Sequence, residues 1–150
     1  MQYRLDSVSR QLAHDLRRAS KESHRRVAIE ACRFALDHAS VDDPDVLLAA
    51  KTLASAAPVP DDVLARVRSF VHVTDERYLN AREAEESGQR GAGGWLESFG
   101  RARAGAAIAA ACDPNSLSAA AESVYEASVT VDDANDLFRI CLSIVQSDER

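Results

Sequence analysis

Apolar residues return at intervals of three and four along nearly the whole of this chain, and only Val71-His72-Val73 interrupts them with a hint of alternation. A stripe that repeats every 3.6 residues covers one face of a helix, whereas a half-buried strand needs a period of two. That pattern restricts the chain to helices packed on helices. Alanine, the best helix former, is the commonest apolar residue, while aromatic residues make up only 5% of the sequence. The core must therefore be built from many small contacts. At 150 residues the chain has the size of one ordinary domain, so a single helical domain spanning 1–150 is expected.

Seven helices are expected. The first runs from about Asp6 to Ala19, with Leu5, Val8, Leu12 and Leu16 on one stripe. Ser20 opens the second, which carries Val27, Ala31, Cys32, Phe34, Ala35 and Leu36 and ends near His38. Asp43 and Pro44 supply an N-cap and a first-turn proline for the third. It runs to about Ala56, with Val46, Leu47, Ala50, Leu53 and Ala54 inward. Pro60, Asp61 and Asp62 open a long fourth helix reaching about residue 86, with Val63, Leu64, Val67, Phe70, Val71, Tyr78 and Leu79 on its buried side. The stretch SGQRGAGG, residues 87–94, holds four of the six glycines and reads as a flexible loop. A fifth helix begins near Gly94 with Trp95, Phe99, Ala102, Ala106 and Ala109, and its run GAAIAAAC would let another helix approach closely. Asp113 and Pro114 start the sixth, bearing Leu117, Ala120, Ala121, Val124 and Tyr125. Thr130-x-x-Asp133 reads as a capping box for the seventh, with Leu137, Phe138, Cys141, Ile144 and Val145 inward. The fold class is all-α, a bundle or short array of about seven helices.

Two stretches invite comparison. DPDVLLAA at 43–50 and DPNSLSAA at 113–120 agree at five of eight positions. Each follows an alanine-rich helix containing a cysteine, and each is followed by an acidic helix start, at 60–63 and 131–134. Two pseudo-repeated three-helix halves, 20–86 and 94–146, account for this; so does independent selection of the same cap. In both copies the leucine, Leu47 or Leu117, is expected to face inward.

Charge is unevenly placed. The formal net charge is −6, yet residues 1–33 carry eight basic and four acidic side chains. The basic part can mark a nucleic-acid arm, although Asp15, Glu22 and Glu30 intersperse it as on a solvated face. The acidic remainder suits the steering of a basic protein. The carboxylates of interest are Asp75, Glu76, Glu83 and Glu86 on the fourth helix, close in sequence to Trp95. A tryptophan beside a loop either anchors that loop or forms a binding hot spot.

Catalytic and metal chemistry finds little support. His14, His24, His38 and His72 form no HExxH or Cys/His cluster, so no metal is expected. Cys32, Cys112 and Cys141 are widely spaced with no CxxC pair, which fits buried thiols in a reducing cytoplasm. GAGGW lacks the GK[ST] ending of a phosphate-binding loop. No cofactor is expected and the chain reads as a non-enzyme. The segment MQYRLDSVSRQL has no apolar signal core, and no run of about 18 apolar residues occurs, so a membrane span is not expected and the location expected is cytoplasmic.

The succession RRVAIEACRF, DPDVLLAAKTLASA, a long charged helix, and RARAGAAIAAACDPNSLSAAAESVYEA resembles small all-helical bacterial proteins, many of them classed as immunity proteins or as domains of unknown function. The resemblance covers about residues 24 to 130. It implies a cytoplasmic protein-binding module that masks a cognate toxin, and the acidic surplus would suit a basic one. Asp75, Glu76, Glu83, Glu86 and Trp95 are then the partner-binding residues. Two other readings stand beside it: a helical scaffold that self-associates through its alanine-rich face, and a nucleic-acid-binding protein using the arginines of residues 4–33.

Overall fold

The computed structural model describes residues 2–88 and 95–148. Among them are seven α-helices and no strand, as the periodicity requires. They are α1 (Arg10–Arg18), α2 (Lys21–His38), α3 (Pro44–Ala54), α4 (Asp61–Glu86), α5 (Trp95–Ala111), α6 (Ser116–Ser128) and α7 (Asn135–Ser147), preceded by a 3₁₀ turn, Arg4–Ser7. Most of the loop expected at 87–94, from residue 89 onward, lies outside the described residues. Gly88 takes a φ of 77° at the end of α4. Its N–H donates to the Glu85 carbonyl at 3.0 Å. This left-handed closure of a C-terminus is one that glycine adopts without steric penalty.

Helix α5 is the axis of the packing. It lies against α4, α6, α2 and α3, so several of its faces are covered and Ala102, Ala104, Gly105, Ala107 and Ile108 are all buried. A helix enclosed in this way must be thin, which is why GAAIAAA occupies it. Ala106, Ala109, Ala110 and Ala111 of the same run are only partly buried. One larger apolar cluster joins Leu5, Leu12, Leu16, Val27, Val124 and Leu137. A smaller one, with Val46, Val63, Val67 and Ile108, seats α3 and the first half of α4.

Several expected boundaries move, each because another cap lies nearby. The first helix is broken: Ser9 accepts the Leu12 N–H through its side chain and starts α1 at Arg10. Leu5 sits in the separate 3₁₀ turn, and Val8 between them is exposed. Helix α3 starts at Pro44 with the Asp43 side chain accepting from Asp45 and Val46. In the second DP stretch the cap is instead Asn115, which accepts from Ser118, while Asp113 only closes a turn onto the Asn115 N–H at 2.9 Å. The two stretches are thus not equivalent helix starts. Nor are the two leucines: Leu117 packs on the larger cluster, but Leu47 is 43% exposed, at the edge of a groove of about 300 Å³ between α2 and α3. The capping box expected at Thr130 does not form, because the Thr130 hydroxyl donates to the Ala127 carbonyl at 2.6 Å and closes α6. Helix α7 begins after Ala134, with Asp133 bonded to the Asn135 N–H at 2.9 Å.

The 3₁₀ turn is clipped to α1 by Arg17, whose two terminal nitrogens donate to Asp6 at 2.9 and 2.8 Å. Those bonds, aided by the Tyr3 N–H, hold the Asp6 carboxyl down at about 2. A depressed carboxyl stabilises the fold fully above its unfolded value and loses that contribution as pH falls through the folded one. Melting temperature is therefore expected to fall between pH 4 and about 2, and Asp6→Asn is expected to flatten that part of the profile. An unchanged slope in the variant would remove Asp6 from the account.

Candidate protein-docking surface

The distal half of α4 and the start of α5 form an antiparallel hairpin with few other neighbours. Beyond Thr74 no residue of α4 is buried, and none of α5 is buried before Ala102. What joins them is aromatic: the Tyr78 ring lies 5.1 Å from Phe99 and 5.8 Å from Trp95, centroid to centroid. Arg82 donates to the Tyr78 hydroxyl at 2.8 Å and stands over the Trp95 ring. Trp95 is thus half-buried, anchoring α5 to α4.

Helical spacing separates the four carboxylates into two roles. Residues 76, 79, 83 and 86 are three or four apart and share one outer flank of α4. Glu76, Glu83 and Glu86 are exposed there, and Leu79 between them is 58% exposed. Leu79 was expected inward; on a helix with one close neighbour only a narrow stripe is covered, and Leu79 falls outside it. Glu76 meets His72 at 3.1 Å and Glu86 meets Arg82 at 3.3 Å, both one turn away and exposed. Such pairs are screened and hold little. Leu96, at the start of α5, is 67% exposed.

Asp75 belongs elsewhere. It faces α5 and receives both bonds of the Arg103 Nη2 group at 2.9 and 2.8 Å. Arg103 Nη1 donates to Glu126 on α6 at 2.8 Å, and Glu126 also accepts from Arg4 at 2.8 Å. Arg4 Nε donates to Glu122 at 3.1 Å. Three acids and two arginines thereby link α4, α5, α6 and the 3₁₀ turn. The Glu126 side chain is only 6% exposed and that of Arg103 18%, and the buried Arg103 Nε has no hydrogen-bond partner among the described residues. Sequence reasoning missed Arg103 and Glu126, since a lone charge in an alanine-rich helix reads as its solvent side. Asp75 is a fastening of the hairpin and not a free carboxylate.

The other reactive residues are placed structurally. Burial raises the Cys32 and Cys141 thiols, the latter to about 12, and partial burial raises Cys112 as well. A thiol so raised holds almost no thiolate near neutrality. His24 is buried, with Nε2–H donating to the Leu16 carbonyl at 2.6 Å and Nδ1 hydrogen-bonded to the Ser116 hydroxyl at 2.9 Å. Among the described residues no three His, Cys, Asp or Glu side chains converge as a metal set, and no helix is long and apolar enough to cross a membrane. Of the eight basic residues in 1–33, Arg4, Arg17 and Arg33 are committed to carboxylates within the chain.

No family model, curated protein or solved structure matches this chain.

Proposed function

We propose that this chain is a non-catalytic protein-binding module of the immunity or inhibitor type, and that its docking element is the outer flank of α4 beyond Thr74. The observation that carries the reading is that Glu76, Leu79, Glu83 and Glu86 share one exposed stripe on a hairpin whose other side is fastened by Tyr78, Trp95 and Phe99. A leucine set among carboxylates suits a partner with an apolar contact ringed by lysines and arginines. The net charge of −6 acts in the same direction by drawing a basic protein toward the surface. A basic toxin, held in the cytoplasm with its active surface covered, is the partner that fits. Trp95 contributes as the anchor that holds the stripe in place, and Asp75 through its bond to Arg103.

The test begins with the product of the adjacent reading frame, co-expressed with this chain and purified as a complex. Reversing Glu76, Glu83 and Glu86 to lysine together is expected to weaken binding about a hundredfold, mostly through slower association at low salt. Leu79→Asp is expected to raise the dissociation rate instead. The fold should be untouched, since all four side chains are exposed. A triple variant that binds as tightly as the parent would dismiss the stripe. A neighbour that forms no complex, together with salt-sensitive retention of the chain on DNA, would favour the nucleic-acid reading.

A further inference from the structure

Helix α4 is held differently along its length. In its first half Val63 and Val67 are buried with Val46 and Ile108, and Phe70 and Val71 stand against Gly105 of α5. Beyond Thr74 on α4 and before Ala102 on α5 no side chain is buried, and the contacts between the two arms converge on Tyr78. Its ring meets both Trp95 and Phe99, and its hydroxyl accepts from Arg82, which also covers Trp95. Contacts that share one residue are lost together when that residue lets go. At the inner edge the attachment is firm: Arg103 joins Asp75 to Glu126, and Arg101 Nε donates to the Ser40 carbonyl at 2.8 Å. The far end of α4 also carries charge of the wrong sign. Glu83, Glu85 and Glu86 crowd its last turn, which has no basic residue, and Arg82 just before it offsets Glu86 alone in an exposed pair. A helix C-terminus bears the negative end of the backbone dipole, so carboxylates there disfavour the helix and cations favour it.

We propose that residues 76–86 of α4 and 95–99 of α5 form one cooperative unit that opens while the rest of the chain stays folded, and that it is poised to close when cations neutralise the last turn of α4. Opening breaks the Tyr78 cluster and frays α4 from its C-terminus and α5 from its N-terminus, back to Asp75 and Arg103. Openings of this kind belong where few apolar contacts are buried and backbone hydrogen bonds lie near solvent. That the natural cation is a basic protein rests on the reading above; the opening itself does not. Such a partner selects the closed state, so Tyr78 sets its affinity through the population of that state.

Amide hydrogen exchange of the whole chain tests the unit, with Trp95, the only tryptophan, as a second probe. Amides of residues 79–86 are expected to be protected about a hundredfold less than those of buried Val124 and Ala127. In urea, Trp95 fluorescence should change before helix is lost by far-ultraviolet circular dichroism. Equal protection in 79–86 and at Val124, or coincident fluorescence and dichroism transitions, would overturn the unit. Tyr78→Leu should speed exchange in 79–86 several-fold and leave Val124 unchanged; an equal acceleration at Val124 would overturn it as well. Glu83→Gln with Glu85→Gln keeps the Arg82 to Glu86 pair and should slow exchange in 79–86 several-fold. Tetralysine added to the parent at low salt should slow it likewise, again without effect at Val124. If neither the double variant nor the peptide slows it, closure by cations is overturned. No natural partner enters these measurements, so their failure is distinct from failure of the docking stripe.

Discussion

Arg103→Ala is expected to lower the unfolding free energy by about 3 kcal/mol, the lower end of the range for removing one partner of a buried ion pair. The loss comes less from the bonds removed than from what they leave behind. Glu126, its side chain 6% exposed, would keep only the half-exposed Arg4, and Asp75 would lose its partner across the hairpin. Arg103→Lys should fall between, because an ammonium cannot serve Glu126 and both oxygens of Asp75 from one planar fork. Desolvation makes the intact pair a poor source of net stability, so Arg103→Met combined with Glu126→Leu is expected to return to within about 1 kcal/mol of the parent. Urea unfolding checks all three. A loss below about 1 kcal/mol for the alanine variant would show that water reaches Glu126 and that the network is not dry.

That network also marks where sequence reasoning stops. The helices were legible because their apolar stripes repeat, the cap at Ser20 because it stands alone before its helix, and the cap at Asp43, despite Asp42 beside it, because Pro44 fixes the first helical position. Where two cap candidates lie within a few residues, local pattern does not choose between them. Ser9 displaced Asp6, Asn115 displaced Asp113, and Thr130 closed the helix behind it instead of opening the one ahead. Burial was readable as a direction but not as a width. Val67 is buried and Val71 lies against Gly105 of α5, whereas Leu79 lies on the shoulder of the same stripe and is left in solvent, as Leu47 is on α3. Glu76, Glu83 and Glu86 could be placed together from spacing alone. The separation of Asp75 from them could not, since its partner is 28 residues away on another helix.

Gly105→Val is expected to cost about 2–3 kcal/mol, close to the Arg103 effect, by forcing apart the two helices of the hairpin. A Cβ at this position would stand 2.9 Å from Val71 Cγ2 and 3.0 Å from the Phe70 ring, both on α4. Alanine brings only that one atom, and its helix propensity exceeds glycine's by about 1 kcal/mol, which offsets part of the clash with the stiff Val71 and the Phe70 ring, so Gly105→Ala is expected to cost about 1 kcal/mol. Valine adds two further carbons with no space to enter. The separation it imposes should reach the next turn of the hairpin, where Asp75 meets Arg103. Its cost is therefore partly the cost of that contact, and the double variant with Arg103→Ala should lose less than the two single losses added together. Strict additivity in denaturant unfolding would mean that the approach of α4 to α5 at Gly105 does not set the geometry of the ion pair.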